Sequence, residues 1–233
     1  MFSIPLFFEF SRGVFIMHTT HTESRIVTLG TFLAAKLCGL FKVSMVIGSF
    51  CASFSGSSMI LPLVGLFGGV VQSSLLFGAL IAARYLFFGI SSLSVLAFYV
   101  PGWCAALYMG SHHSIIRLLL PLACMLAFVM HPVGGAAWPY TLYWLIPVFV
   151  YCFNKHHIFY QALGATFVAH AVGSVIWLYT IGMTADMWLG LIPVVACERL
   201  LYAAGMVVAY HAIKGIQSFA VRTYGRVIVD HVA

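Results

Sequence analysis

Charge is what this chain has least of. Of its 233 residues, 7% are Asp, Glu, Lys or Arg and only five are acidic, whereas 63% are hydrophobic. An ordinary soluble domain carries about 25% charged and roughly 45–50% apolar residues. The shortage excludes a water-soluble globule, which needs a polar skin over a core that grows slowly with chain length. A C-x-x-C pair is also missing. The six cysteines (Cys38, Cys51, Cys104, Cys124, Cys152, Cys197) fall mostly inside apolar runs at irregular spacing, which argues against a disulfide framework and leaves them as small buried apolar residues. No Walker or other Gly-rich phosphate motif occurs, so the chain is not expected to hydrolyse ATP itself. Nor is there an internal repeat, a low-complexity tract or a linker between the ends, which argues against an inverted-repeat transporter and for one domain.

What is present is apolar sequence in lengths that suit a bilayer. A hydrocarbon core of about 30 Å takes roughly 20 helical residues per crossing, so the chain has room for at most about eight crossings. Charged and turn residues divide it into stretches at 26–49, 59–81, 85–109, 115–131, 138–153, 157–180 and 187–213. Residues 1–25 alternate aromatics with Glu9 and Arg12 and lack both a basic start and a small-residue cleavage site. They read as an interfacial segment rather than a cleaved signal peptide. The excess of 11 Lys and Arg over 5 Asp and Glu does not point to nucleic acid, because the cations stand singly at segment ends as anchors toward lipid head groups.

Arg12 and Arg25 near the start, and Lys214, Arg222 and Arg226 in the tail, place both termini in the cytoplasm by the positive-inside rule. Both ends on one side require an even number of crossings. One stretch is therefore expected to be broken or re-entrant, either 85–109, interrupted by Pro101-Gly102, or 138–153, which is short and carries Pro139 and Pro147. The expectation is an all-α polytopic integral membrane helix bundle of about six transmembrane helices, seven if every stretch crosses. Its parts are an interfacial segment 1–25, a bundle 26–213 and a cytoplasmic tail 214–233, set in a bacterial inner membrane.

Ionisable residues far from a segment end carry the functional information, since a charge at the bilayer centre costs about 2.5–3.5 kcal/mol even on the lenient insertion scale. Glu198 and Arg199 stand near the middle of 187–213. Neighbouring helical side chains diverge by about 100°, so the two are expected to reach different neighbours around a polar cavity; the alternative is that they lock helices together nearer an interface. His170 lies mid-segment among Gly164, Ala169, Gly173 and Ser174, where another helix can approach closely. Lys36, Arg84 and Arg117 are expected to snorkel to the interface.

The ten histidines include two adjacent pairs, His112-His113 and His156-His157, but no His-x3-His or Glu-x-x-His, so the two-ligand face of a helical metal site is not read here. Haem held between single histidines such as His131 and His170 is a remote alternative. The run FSGSSM (Ser55, Gly56, Ser57) lacks the Gly-x-Ser-Gly of rhomboid proteases, and no catalytic residue is assigned. Trp138, Tyr140, Tyr143 and Trp144 gather on a proline-broken stretch, as an interfacial belt or as a wall on which a planar ligand stacks.

Gly173, Trp177, Tyr179, Trp188, Gly190, Pro193, Glu198, Arg199, Ala203 and Ala204 follow the order small-residue helix, aromatic end, short loop, Gly-x-x-Pro helix with a charged pair, alanine-rich continuation. In that order the C-terminal third resembles the end of BioY-type S components of energy-coupling-factor vitamin transporters. Upstream, SSMILPLVGLFGGVVQSSLLFGALIAARYLFFG resembles that family's second and third helices, with Gly65, Gly68 and Gly69 at the turn. The likeness covers about two thirds of the chain. It implies a six-helix protein that captures a vitamin-like molecule from outside and tumbles against a transmembrane coupling subunit driven by two ATPases. It also implies a contact with that subunit through small residues four apart on the first helix, here Gly30 with Ala34 and Ala35 with Gly39. Two departures stand out: the family's acidic and Lys residues of the last helix appear as Glu198 and Arg199, which leaves the solute open, and residues 115–135 add a stretch.

The expected role is to bind and transport a small organic solute, without a resident cofactor, with Glu198, Arg199 and His170 as polar contacts and Trp138, Tyr143 and Trp144 as aromatic walls. The rival readings are a non-catalytic membrane scaffold or assembly subunit and, behind it, a haem protein or intramembrane enzyme.

Overall fold

The computed structural model describes residues 10–11, 14–15, 21–40, 42–44, 53–88, 94–153 and 156–232. Helix α1 covers His21–Cys38, α2 Ser57–Ile60, α3 Leu63–Phe88 and α4 Ser94–Gly110. A π-helical turn at Ile115–Leu119 leads into α5, Leu120–Met130, followed by the short α6, Pro132–Ala136. A 3-10 helix at Trp138–Trp144 continues into α7, Leu145–Cys152; then come α8, Ile158–Thr180, α9, Ala185–Gly190, and α10, Ile192–Val232. There are also two antiparallel strand pairs of two or three residues each, β1 (Phe10–Ser11) with β2 (Val14–Phe15) and β3 (Lys42–Ser44) with β4 (Ser53–Ser55).

The bundle is built around α8, which packs on α4, α5, α7 and α10. Its inward face is small (Ala162, Gly164, Ala165, Ala171), and this smallness sets how closely neighbours approach. A Cβ on Gly164 would strike the Tyr108 ring of α4, and one on Gly173 would touch Pro101. These two contacts fix α4 antiparallel to α8. Tyr179 Oη donates to Ala127 O at 2.9 Å and Arg117 Nη1 to Gln161 Oε1 at 2.5 Å, so the π turn and α5 run parallel to α8.

The outer surface is apolar. Val71, Leu75, Leu86, Phe87, Ile115, Leu126 and Val208 are among many large hydrophobic side chains left exposed, the arrangement of a helix bundle whose solvent is hydrocarbon. Among the described residues, three helical runs are long and apolar enough to cross a membrane by length and composition, Ile158–Thr180, Ile192–Ala220 and Leu63–Phe87, the last counted across a kink at Gly69, with Ile115–Met130 a shorter apolar run.

Several expected boundaries move. Residues 85–109 are not broken at Pro101-Gly102: α4 runs through Pro101, with Leu61 packed against Gly102, so tertiary contacts offset the backbone bond that proline removes. The break expected in 138–153 is present, as the change from 3-10 to α-helix at Leu145. A second break comes in α3, where Gly69 adopts φ 67°, ψ −172°, a region essentially reserved for glycine. Leu61 and Phe77 both pack against Gly102, while Gly65 and Gly69 both border Gly110; the chain thus doubles back at Gly69 and lays both limbs along α4. At the C-terminus, α10 continues past residue 213 to Val232. The N-terminal boundary at 25 also falls inside a helix, since α1 begins at His21; most of residues 1–20 lies outside the described residues.

Candidate functional site

At one end of the bundle, α5, the 3-10 helix, α8 and α9 bring four buried aromatic rings together. Phe128 stacks on Tyr140 with centroids 5.7 Å apart and takes Trp144 and Trp188 edge-on at 5.3 and 5.2 Å. Tyr140 meets the same two indoles at 6.1 and 5.1 Å. Such edge-to-face pairs contribute about 0.5–1.5 kcal/mol each beyond the area they bury.

One edge of this group is polar. The Tyr140 hydroxyl lies 2.7 Å from His170 Nε2 and 3.3 Å from Ser174 Oγ. His170 and Ser174 are four apart on α8, so both face the same neighbour. Arg199 stands close enough to interact electrostatically with both Tyr140 and His170. It also donates to Thr166 O at 3.4 Å and lies 4.8 Å from the Tyr202 ring centre.

Glu198 and Arg199 pair with each other, Nη2 to Oε2 at 2.6 Å, with side chains 21% and 11% exposed. This corrects the expectation that they reach different neighbours. Their Cβ atoms diverge, but both side chains are long enough to curl together, and Coulomb attraction strengthens as the surroundings lose water.

Of the expected aromatic walls, Trp144 is fully buried, whereas Trp138 is 53% exposed. Trp138 opens the 3-10 helix at the end of the bundle and points outward, the place of an interfacial aromatic rather than a wall. Tyr143 has a bridging position, its ring stacked on Phe167 at 5.6 Å and its hydroxyl donating to Ile192 O at 3.2 Å. The structure therefore gathers His170, Tyr143, Trp144, Glu198 and Arg199 around α8 and leaves Trp138 out. Phe128, Tyr140, Ser174 and Trp188 complete the group. Tyr140 carries a sequence signal, a polar-handled aromatic beside prolines; Phe128 is one apolar residue among many.

Of the four small residues expected at a partner surface, Gly30 is exposed with open space around it and Ala34 is half-buried. Ala35 is fully buried in a cluster with Leu61, Val64, Phe77 and Ala106, and a Cβ on Gly39 would touch Ser57. That pair is used for packing within the chain.

Arg117 departs most from expectation. It does not snorkel: it is 3% exposed and donates from Nε to Ser111 O at 2.6 Å, from Nη2 to Tyr108 O at 3.0 Å and from Nη1 to Gln161 Oε1. The guanidinium also lies over the Tyr108 ring at 4.6 Å. A cation here caps the carbonyl end of α4, where the helix dipole is negative. Lys36 is half-buried over Phe32 and Tyr99. The cysteines are more varied than expected, with Cys124 buried but Cys152 and Cys197 exposed.

His131 and His170 have separate partners: His131 Nδ1 accepts from Val133 N at 3.2 Å and its ring meets Tyr179, while His170 is held by Tyr140. Among the described residues no group of three or more His, Cys, Asp or Glu is placed to hold a metal ion. No family model, no curated protein and no solved structure matches the chain.

Proposed function

We propose that this chain is a membrane-embedded protein that binds a small organic solute and carries it across the bilayer. The observation that carries the reading is the junction of the Glu198–Arg199 ion pair with the Tyr140–His170–Ser174 cluster at the edge of an aromatic group. Ionisable side chains inside a bundle are expensive and mark solute or ion paths by default. Aromatic faces with a few convergent polar groups are the usual makeup of a small-molecule site.

The chain has no phosphate-binding motif, so transport energy comes from a partner or an ion gradient. A capture subunit working with a transmembrane coupling subunit and ATPases fits this need, and the exposed Gly30, one turn from the half-buried Ala34, gives that subunit a place for close helix approach. Membership of the vitamin-capture class, a bacterial inner membrane and cytoplasmic termini belong to the same proposal.

The test is native mass spectrometry of protein purified in mild detergent, joined to uptake measurements on Glu198→Gln and Arg199→Gln. The expected result is a retained organic mass of vitamin size, lost in both variants while the protein remains inserted and abundant. Loss of the protein itself in both variants would sink the transport reading in favour of a structural ion pair.

A further inference from the structure

The atoms left without partners near the aromatic group are all of one kind. Among the described residues, the buried side-chain atoms lacking a hydrogen-bond partner are Trp144 Nε1, Trp188 Nε1, Arg199 Nε and Gln217 Oε1. Gln217 lies eighteen residues beyond Arg199, about 27 Å along α10. Of the other three, the two indoles pack against Tyr140, and Arg199 stands near Tyr140 and His170. Indole and guanidinium N–H groups can only donate, so what would satisfy this region is a set of acceptors.

Charge narrows the choice further. Glu198 balances Arg199 at 2.6 Å, and Tyr140 and His170 share a hydrogen bond that needs no net charge on either. A charged ligand would bring an uncompensated charge into a low-dielectric site. An uncharged one would not.

Trp188 reaches the group in an unusual way. Its helix α9 has six residues, of which Asp186, Met187 and Gly190 are exposed, while the Trp188 indole is 2% exposed against Phe128 and Tyr140. Gly182 and Gly190, one on each side of Trp188, stand in open space. Ala185 and Leu189 of α9 and the flanking Met183 and Leu191 also pack on this core, but Trp188 is the one α9 side chain that is buried, and it sits in the aromatic group with its own N–H unpaired.

Resting on the solute-binding reading above, we propose that Trp188 is a built-in plug whose indole occupies the place of the solute's ring, and that the solute is an uncharged, flat ring compound bearing carbonyl-type acceptors. Such a ring keeps the edge-on contacts with Phe128 and Tyr140 and offers acceptors to Trp144 and Arg199, which the indole cannot. Displacing Trp188 lifts α9 and opens the site to the bundle end.

The experiment is equilibrium dialysis of the full chain in lipid nanodiscs, corrected with empty nanodiscs, against three ring probes. Coumarin is uncharged with a carbonyl acceptor, naphthalene has no acceptor, and 1-naphthoate is an anion. Coumarin is expected to bind Trp188→Ala at least tenfold more tightly than wild type, with Trp188→Phe between them, and both other probes are expected to bind at least tenfold more weakly than coumarin. Coumarin binding weakened by Trp188→Ala and Trp188→Phe would make Trp188 a wall and overturn the plug. Naphthalene or naphthoate binding as well as coumarin would overturn the solute class alone. If no probe binds any form, the plug and the solute class both fail; a retained mass in native mass spectrometry of the wild type then still upholds the wider binding reading, and its absence removes that as well.

Discussion

Tyr140 Oη and His170 Nε2 lie 2.7 Å apart, and the same hydroxyl reaches Ser174 Oγ at 3.3 Å, so one phenol ties the 3-10 helix to two successive turns of α8. Tyr140→Phe keeps the ring that stacks on Phe128 and removes only this tie. The imidazole then lacks its partner, and the expected loss is about 1–3 kcal/mol of stability. Tyr140→Ala also removes the buried ring and is expected to cost about 3–5 kcal/mol. Denaturant titration in a fixed detergent separates the two; equal losses would show that the hydroxyl contributes nothing.

Arg117 lends itself to a sharper test because its three acceptors lie in different directions. Arg117→Met removes the bonds to Ser111 O, Tyr108 O and Gln161 Oε1, with an expected loss on the order of 3 kcal/mol. Arg117→Lys keeps the charge, but one ammonium cannot replace a planar fork with donors along its whole edge. Thermal melting should therefore drop nearly as far for Lys as for Met. A Lys variant that melts like wild type would mean that charge alone, not the fork, is what this site needs.

The solvent class of this protein is legible from composition, and so are the existence of α8 and α10 and the broken character of 138–153, because hydropathy and proline act locally. What was not legible depends on distant partners. Arg117 sits at a stretch end like any snorkelling cation, and it is burial beside Gln161, forty-four residues away, that holds it inside. Trp138 and Trp144 look equivalent in the sequence; their different exposure follows from where the 3-10 helix begins, which apolar periodicity does not reveal. Hydropathy reads 59–81 as one apolar stretch, and the contacts of both limbs with α4 show the reversal at Gly69, among the glycines where the family resemblance implies a turn. For Glu198 and Arg199, helix geometry correctly gives the divergence of their Cβ atoms, but long flexible side chains overcome it.

Two glycines in the first half of the chain are expected to respond in opposite ways. Gly69 holds φ 67°, ψ −172°, so Gly69→Ala is strained whatever the space around it, by about 1–3 kcal/mol. At Gly30 an added Cβ meets nothing within 4 Å, and Gly30→Leu should leave the melting temperature of the isolated protein unchanged. If the Gly30 and Ala34 face receives a coupling subunit, Gly30→Leu should nonetheless reduce recovery of that partner on co-purification from native membranes. A large drop in the stability of the isolated chain would show that Gly30 is needed within the fold.

The loop joining α4 to the π turn is expected to make stability depend on pH. His112 and His156, from different loops, stand with ring centres 6.2 Å apart, and the His112 imidazole is held below its ordinary range first by the Arg117 cation, then by burial, then by His156. The unfolded chain therefore takes up a proton at this residue at a higher pH than the folded chain does. Between those two pH values the unfolded state holds more protons, and stability falls as pH falls. Above the ordinary imidazole range both states are neutral there and the effect vanishes. Melting curves from pH 7.5 down to pH 5 should show a decline that His112→Ala lessens, whereas an identical slope in that variant would place the acid sensitivity at other groups. Because His112 is exposed, the slope should be shallow, and added salt should flatten it further by screening Arg117 from the imidazole.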